Sequence, residues 1–474
     1  MRAIWPLLIA VLCVQGSGPA DPQRPTYHFL PPANWMNDTM GIYRGGEYHI
    51  FYLYNPDGPV WRQAKQWAHA YSTDLVHWRQ LPPALGPVPD GPENLCCQTG
   101  SLTAFDGVPT ALYTCAPGVC LATSDDDLRT WKRDANNPVI AGPPAGMDVT
   151  GFRDPYVFQG TDGWYLLVGS GTRQTGGSIL LYESQDLRKW AFLGAMLPGL
   201  GKDDEVWEVP ELFRLGDKDV LIYSPTKESK FTRYFIGKFQ DQQFEPESRG
   251  KIDLGGYFYA GTVFHDDQGD PIMVAWIKEG RDKQAVQAAG WSGILSVPRR
   301  LSACAGAGIC TAPVCQLDQL RSGHKRYTNI RLLALGDHSL NAEGAAIDIV
   351  AEFDPGTATR FGVKVRCAPS GEEETAVYFD RRLSRFLMDT RRSSQSNGVD
   401  KSLLGGDFDL PAGKPVHLRI LVDHSVVEAF AENRAAIAGR IYPALPASVG
   451  IRVFAEGGTA TLRSIDVWQM ISIW

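Results

Sequence analysis

Three stretches of this chain repeat one pattern. Residues 72–78 read STDLVHW, residues 124–131 read SDDDLRTW and residues 184–190 read SQDLRKW. The closing residues Trp78, Trp131 and Trp190 recur at an interval of about 50–60 residues, a repeat length that suits propeller blades. Short runs rich in β-branched and aromatic residues fill the intervals, at 48–54, 109–114, 164–169 and 219–224, each bounded by turn formers. From about residue 27 to about residue 320 the interval accommodates five blades of short strands.

The same interval places carboxylates. Asp154 and Glu208 lie one blade apart, and Asp38 and Asp154 lie two blades apart. The skipped second blade puts residues 98–101 at the equivalent place, and the fifth puts residues 259–262 there. Equivalent positions in successive blades face a common axis, so three acidic side chains remote in sequence are expected to converge at one end of a central channel.

Beyond a Cys-rich stretch at 304–315, residues 317–328 are polar and basic and read as a linker or an edge helix. Strand-like runs then return at 346–353, 360–365, 416–422, 425–430 and 449–454. Residues 330–474 are therefore read as a β-sandwich, and the whole chain as all-β. Its expected main role is to buttress the propeller.

At the N-terminus Arg2 precedes an apolar run over 4–14, followed by the small residues Gly16, Ser17, Gly18 and Ala20. The run is too short to span a membrane, and residues 1–20 read as a signal peptide cleaved after Gly16 or Ala20. A secreted, extracellular protein with no membrane attachment after cleavage is expected. Eight cysteines follow Cys13, and an even count in a secreted chain favours disulfides, with local pairing within 96–120 and within 304–315. No His stands at zinc-ligand spacing beside either cluster. The net charge of -7 argues against nucleic acid as a partner. The 13 tryptophans serve either as core or as flat platforms for sugar rings.

Three carboxyl groups suit glycosidic bond cleavage. A retaining reaction needs an ionised nucleophile and a protonated acid close together, and closeness separates their proton affinities. Asp38 sits in WMNDTMG, beside Trp35 and Asn37. Asp154 sits in FRDPY, beside Arg153. Glu208 sits in VWEVPELF, with apolar Trp207, Val209 and Pro210 as sequence neighbours. Burial among apolar groups raises a carboxyl pKa. The chemistry assigns Asp38 as nucleophile, Glu208 as acid/base and Asp154 as stabiliser.

These segments resemble glycoside hydrolase family 32, the invertases, inulinases, levanases and fructosyltransferases. WMNDTMG resembles the family's WMNDPNG, FRDP its stabiliser signature, and WEVP its WECP. Residues 67–78, 100–103, 290–299 and 422–443 resemble further family segments. The resemblance implies a five-bladed propeller joined to a β-sandwich, and chemistry without metal or cofactor. It implies a fructosyl subsite lined by Trp35, Asn37, Trp61, Gln98, Thr99 and Arg153. Asp253 would contact the fructosyl unit or the leaving group, and Tyr257 and Trp291 would sit at the rim. Expected substrates are sucrose, inulin and levan. A fructosyltransferase, an arabinose- or xylose-directed propeller glycosidase and a silent fructan-binding protein are the rival readings.

The chain departs from the family pattern at Thr39 and Met40, at Leu53 in place of Gln, at Gln98-Thr99 in place of Trp-Ser, and at Val209 in place of Cys. Residues 37–39 also form an N-glycosylation sequon, expected to be unused.

Overall fold

The computed structural model describes residues 21–474 except 96, 198–204, 228–230, 305–307, 335 and 412. The expected signal peptide lies outside the described residues. Five antiparallel sheets, one per expected blade, succeed one another along the first two-thirds of the chain. Their inner strands are Asn34–Arg44, Gly100–Phe105, Val149–Gln159, Trp207–Leu215 and Phe258–His265. Each inner strand touches the next, and the fifth touches the first, so the ring is closed. Closure is reinforced by Trp291–Ser292, which pairs in parallel with Asn34 and Trp35 of the first blade.

The repeated motif has a local cause. In each of the first three blades it forms the turn between the two outer strands. Asp74 accepts the backbone N–H groups of Val76 and His77, Asp126 accepts that of Thr130, and Asp186 accepts those of Arg188 and Lys189. A leucine in the left-handed region follows each time: Leu75, Leu128 and Leu187, with φ of 68°, 73° and 58°. The indoles of Trp78 and Trp190 then donate to the carbonyls of Leu75 and Leu187. The fourth blade turns instead through Asp241 and Gln242, both at positive φ, in a two-residue hairpin that needs no such motif.

The sandwich consists of two six-stranded sheets. Its first strand, Arg321–Leu332, follows a short 3-10 helix, Cys315–Leu320, and occupies most of the stretch expected to be a linker or edge helix. Strand Val416–Asp423 shows the alternation that builds the core: Val416, Leu418 and Ile420 are buried, while His417 and Arg419 face outward. Phe353, Phe361, Phe379 and Phe386 pack ring against ring in sequence between the sheets.

Propeller and sandwich share a buried charge network. Asp423 accepts the backbone N–H groups of Tyr27 and His28 at 2.8 Å and the His28 ring at 2.9 Å. Glu428 takes the other His28 nitrogen at 3.0 Å and the Arg299 guanidinium. Arg299 also reaches Asp253 at 2.9 Å. The segment 422–443 therefore joins the two domains.

Disulfides link Cys115 to Cys120 and Cys304 to Cys310, one inside each Cys-rich stretch. Full pairing is not observed, since among the described residues Cys315 and Cys367 carry free thiols. Five tryptophans, Trp35, Trp67, Trp78, Trp207 and Trp291, are buried in the core, whereas Trp61 is 59% exposed.

Candidate active site

Each acidic segment sits where its inner strand abandons regular pairing. In the first blade the register shifts between Asn37 and Thr39, so Asp38 is the extra residue of a bulge. In the third the ladder skips around Asp154, whose φ is 57°. In the fourth it skips between Glu208 and Glu211, with Val209 at φ 48°. The fifth repeats the device between Tyr259 and Thr262, with Ala260 at φ 51°. A bulge re-aims side chains that a regular strand would alternate between faces. A β-branched residue at positive φ is strained, and Val209 is held there as its N–H donates to the Asp154 carboxylate at 3.2 Å.

The bulges bring the three carboxylates into one electrostatic neighbourhood. Asp38 is pushed up to about 6, first by burial and then by the negative charge of Glu208. Thr99 opposes this by donating to Asp38 at 2.8 Å, and the Lys65 ammonium opposes it by charge. Asp154 is 5% exposed and is pushed up to about 8 by burial and by Glu208, against the pull of Arg153. A hydroxyl connects the two aspartates: Thr114 donates to the Thr99 carbonyl at 3.0 Å and accepts the Asp154 N–H at 2.7 Å.

Glu208 has different company from that expected. Trp207 turns away and packs against Tyr223 and Phe235. The Glu208 carboxylate, with its side chain 23% exposed, receives Arg153 Nε at 2.9 Å and Nη2 at 2.8 Å on one oxygen. The Tyr259 hydroxyl donates to the other at 2.6 Å. Arg153 thus turns to Glu208 rather than to its sequence neighbour Asp154.

Other expected positions divide. Trp35 is buried and meets Trp276 edge to face. Asn37 directs a buried side-chain oxygen that has no protein partner among the described residues. Gln98 lies beside Thr99, its backbone paired with Thr114. Thr39 is buried with its hydroxyl 3.0 Å from that of Thr262, so the sequon is folded into the joint between the first and fifth blades. Leu53 and Met40 are core residues of the first blade.

Two expectations are corrected. Asp253 is fully buried at the junction of the domains. One of its oxygens accepts Gly255 N–H at 2.7 Å and Ala438 N–H at 3.0 Å, and the other is paired with Arg299, so it has no face for a sugar. Trp291 is 2% exposed, clamped by Arg281 and donating to Asp21 at 2.8 Å, and is not at a rim. Tyr257 lies at the junction and donates to Asp400 at 3.4 Å.

Sequence reasoning did not assign Tyr259, Thr114 or Lys65. The blade interval had marked Tyr259 as equivalent to the carboxylates, and that signal carries its placement. Lys65 lies in a loop without periodicity. Its ammonium stands 4.7 Å from the Trp61 ring centre and 5.8 Å from that of Trp35.

Comparison with known proteins follows the same two-part division. The model of the glycosyl hydrolases family 32 N-terminal domain matches residues 28–313, and that of the family's C-terminal domain matches residues 316–469. A sucrose-6-phosphate hydrolase of Zymomonas mobilis is 32% identical, over 94% of this chain and 92% of its own. A levanase of Bacillus subtilis is 31% identical, over 95% of this chain and 71% of its own. The structure of fructan 1-exohydrolase IIa from Cichorium intybus in complex with 1-kestose is similar at TM-score 0.88 and 26% identity, covering 96% of this chain and 98% of that one. The likeness runs through both domains, and this chain belongs to glycoside hydrolase family 32.

Proposed function

We propose that this chain is a secreted enzyme that hydrolyses the fructosyl bond of sucrose and fructans with retention, through a covalent fructosyl intermediate on Asp38. The observation that carries the reading is the meeting of Asp38 and Glu208, from the first and fourth blades, in one shared field. Two carboxyl groups whose charges act on each other are what a double displacement needs. The similarity to enzymes named for sucrose-6-phosphate, levan and fructan supports the substrate class.

In this reading an Asp38 oxygen attacks the anomeric carbon while Glu208 gives its proton to the departing glycosidic oxygen. Glu208 then takes a proton from water as that water's oxygen attacks the same carbon and frees Asp38. Three carboxylates in one neighbourhood, only partly offset by cations such as Arg153 and Lys65, favour retention of an exchangeable proton in the site. Asp154, the more buried aspartate, stabilises the cationic transition state and binds sugar hydroxyls. Asn37, Trp35, Trp61, Gln98, Thr99 and Arg153 line the fructosyl subsite. The apolar N-terminal run and the two disulfides support export to an oxidising compartment.

Purified protein is given sucrose at low and high concentration, and free glucose and fructose are measured. Equal release at both is expected; glucose in growing excess would instead assign transfer of the fructosyl unit to sugar. Asp38→Ala and Glu208→Ala should each lose several powers of ten in turnover with melting temperature retained. A folded variant of either with near-parental turnover would overturn the assignment.

A further inference from the structure

Asp38 has a cation beside it that the nucleophile's own motif does not supply. Lys65 lies at the end of the loop joining the second and third strands of the first blade. It is only 4% exposed, an uncommon degree of burial for an ammonium. The faces of Trp61 and Trp35 both lie within cation–π range of its nitrogen. Its backbone carbonyl accepts the Cys97 N–H at 3.3 Å, which ties this loop to the segment carrying Thr99. Thr99 in turn donates to Asp38. Lys65 is thus anchored at its backbone and along its side chain.

The demand for such a cation comes from the rest of the ring. Asp38 faces Glu208 from the fourth blade, Asp154 from the third and Tyr259 from the fifth, with Thr99 at the start of the second. Arg153 is engaged by Glu208, and the Tyr259 hydroxyl donates to Glu208 as well. Arg153 of the third blade and the Tyr259 hydroxyl of the fifth therefore serve the acid/base residue, and Lys278 lies over the Tyr259 ring at 4.8 Å. Burial and the charge of Glu208 both oppose ionisation of Asp38, yet a nucleophile attacks only when ionised.

We infer that Lys65, held on the faces of Trp61 and Trp35, is a positioning residue that keeps the Asp38 carboxylate ionised and aimed for attack, extending activity toward acid pH. The inference rests on the reading of Asp38 as nucleophile. It assigns Trp61 a second task, since the ring that meets the sugar also seats the cation.

The test is the pH dependence of kcat/KM for sucrose from about pH 4 to about pH 8, in the parent, Lys65→Met and Lys65→Arg. Methionine retains an unbranched stem and removes the charge. An opposite charge within about 4–6 Å typically lowers a carboxyl pKa by about 1–3 units. The acidic limb of Lys65→Met should therefore move up by about one unit or more, a roughly tenfold loss on that limb after scaling to the plateau. Lys65→Arg should return the limb to within a few tenths of a unit of the parent. A purely structural role would lower melting temperature and plateau without moving the limb. An unmoved limb in folded Lys65→Met, or no recovery by arginine, overturns the inference. If Lys65→Met shows no cooperative melt, Lys65→Gln carries the same comparison. Asp38→Ala is measured alongside: retained activity there overturns the nucleophile assignment, whereas its loss beside an unmoved limb overturns the role of Lys65 alone.

Discussion

In an Asp253→Asn variant the side chain keeps its size and loses its charge. The remaining oxygen can still accept the N–H groups of Gly255 and Ala438. The new amide then points its own N–H at the Arg299 guanidinium, so a donor meets a donor in a fully buried place. Removing one partner of a buried ion pair costs about 3–5 kcal/mol. The lower end applies, because Arg299 retains Glu428 and because burial already raises the Asp253 carboxyl above the ordinary range. Unfolding entropy of about 2.1 cal/mol/K per residue, over roughly 450 residues, makes 3 kcal/mol a fall of about 3 °C in Tm if the two domains melt together. Scanning calorimetry supplies the first number and sucrose kinetics the second, with KM expected within twofold of the parent. A KM raised tenfold at unchanged Tm would refute the placement of Asp253 at the domain junction and return it to the sugar.

Further outcomes follow from the same geometry. Tyr259→Phe removes the hydroxyl that holds the Glu208 carboxyl and should lower kcat by about 10-fold with KM little changed; an unaltered kcat would separate Tyr259 from the reaction. On the proposed function Trp61→Ala should raise KM for sucrose by several-fold, through loss of an exposed ring assigned to the fructosyl subsite, and should move the acidic limb in the same direction as Lys65→Met; steady-state kinetics across pH decides both. His49 and His69 form a buried pair 3.0 Å apart, and burial lowers them to about 4 and about 3. Unfolded histidines near 6.5 bind protons that the folded pair refuses, so this contribution is complete above about pH 6.5 and is lost as pH falls toward the folded values. Thermal melts should show Tm falling below about pH 6, and His69→Gln should flatten that fall; a slope identical to the parent would assign the acid lability elsewhere.

The blade interval was legible because the first three blades use the same Asp-capped turn, a local structure with a strict side-chain requirement. The fourth and fifth blades turn by other means, and only extrapolation reached them. The extrapolation still located Tyr259, because bulges recur at equivalent places. The segment Arg321–Leu332 escaped recognition because it is an edge strand, paired on one side only by Ala460–Met470 and exposed over most of its length. Such a strand shows no alternation of apolar and polar residues, and charge on an edge is a common defence against mispairing. Asp253 was misread because an acidic residue in a family-like segment looks the same whether it meets a sugar or a buried arginine. The environment of Glu208 was misread for a related reason. Sequence neighbours on a strand point to opposite faces, so Trp207 contributes to the blade core and a residue 55 positions earlier, Arg153, contributes to the carboxylate. Lys65 carried no signal, since a lone charge in a loop is ordinarily solvated.

The bulges of the inner strands have a bearing on how such an enzyme diversifies. Each carboxylate-bearing segment is aimed by a break in the ladder, so its direction is a property of the main chain and of the strands on either side. Side chains near these segments can then be exchanged, as at Leu53, Thr99 and Val209, while the carboxylates stay in place. A single-residue insertion or deletion within one of these strands is a different matter, because it slips the register and turns the acidic residue out of the ring. Descent within this architecture is therefore free in chemistry at its lining and conservative in strand length, and new specificities are best sought by substitution there rather than by changing the length of an inner strand.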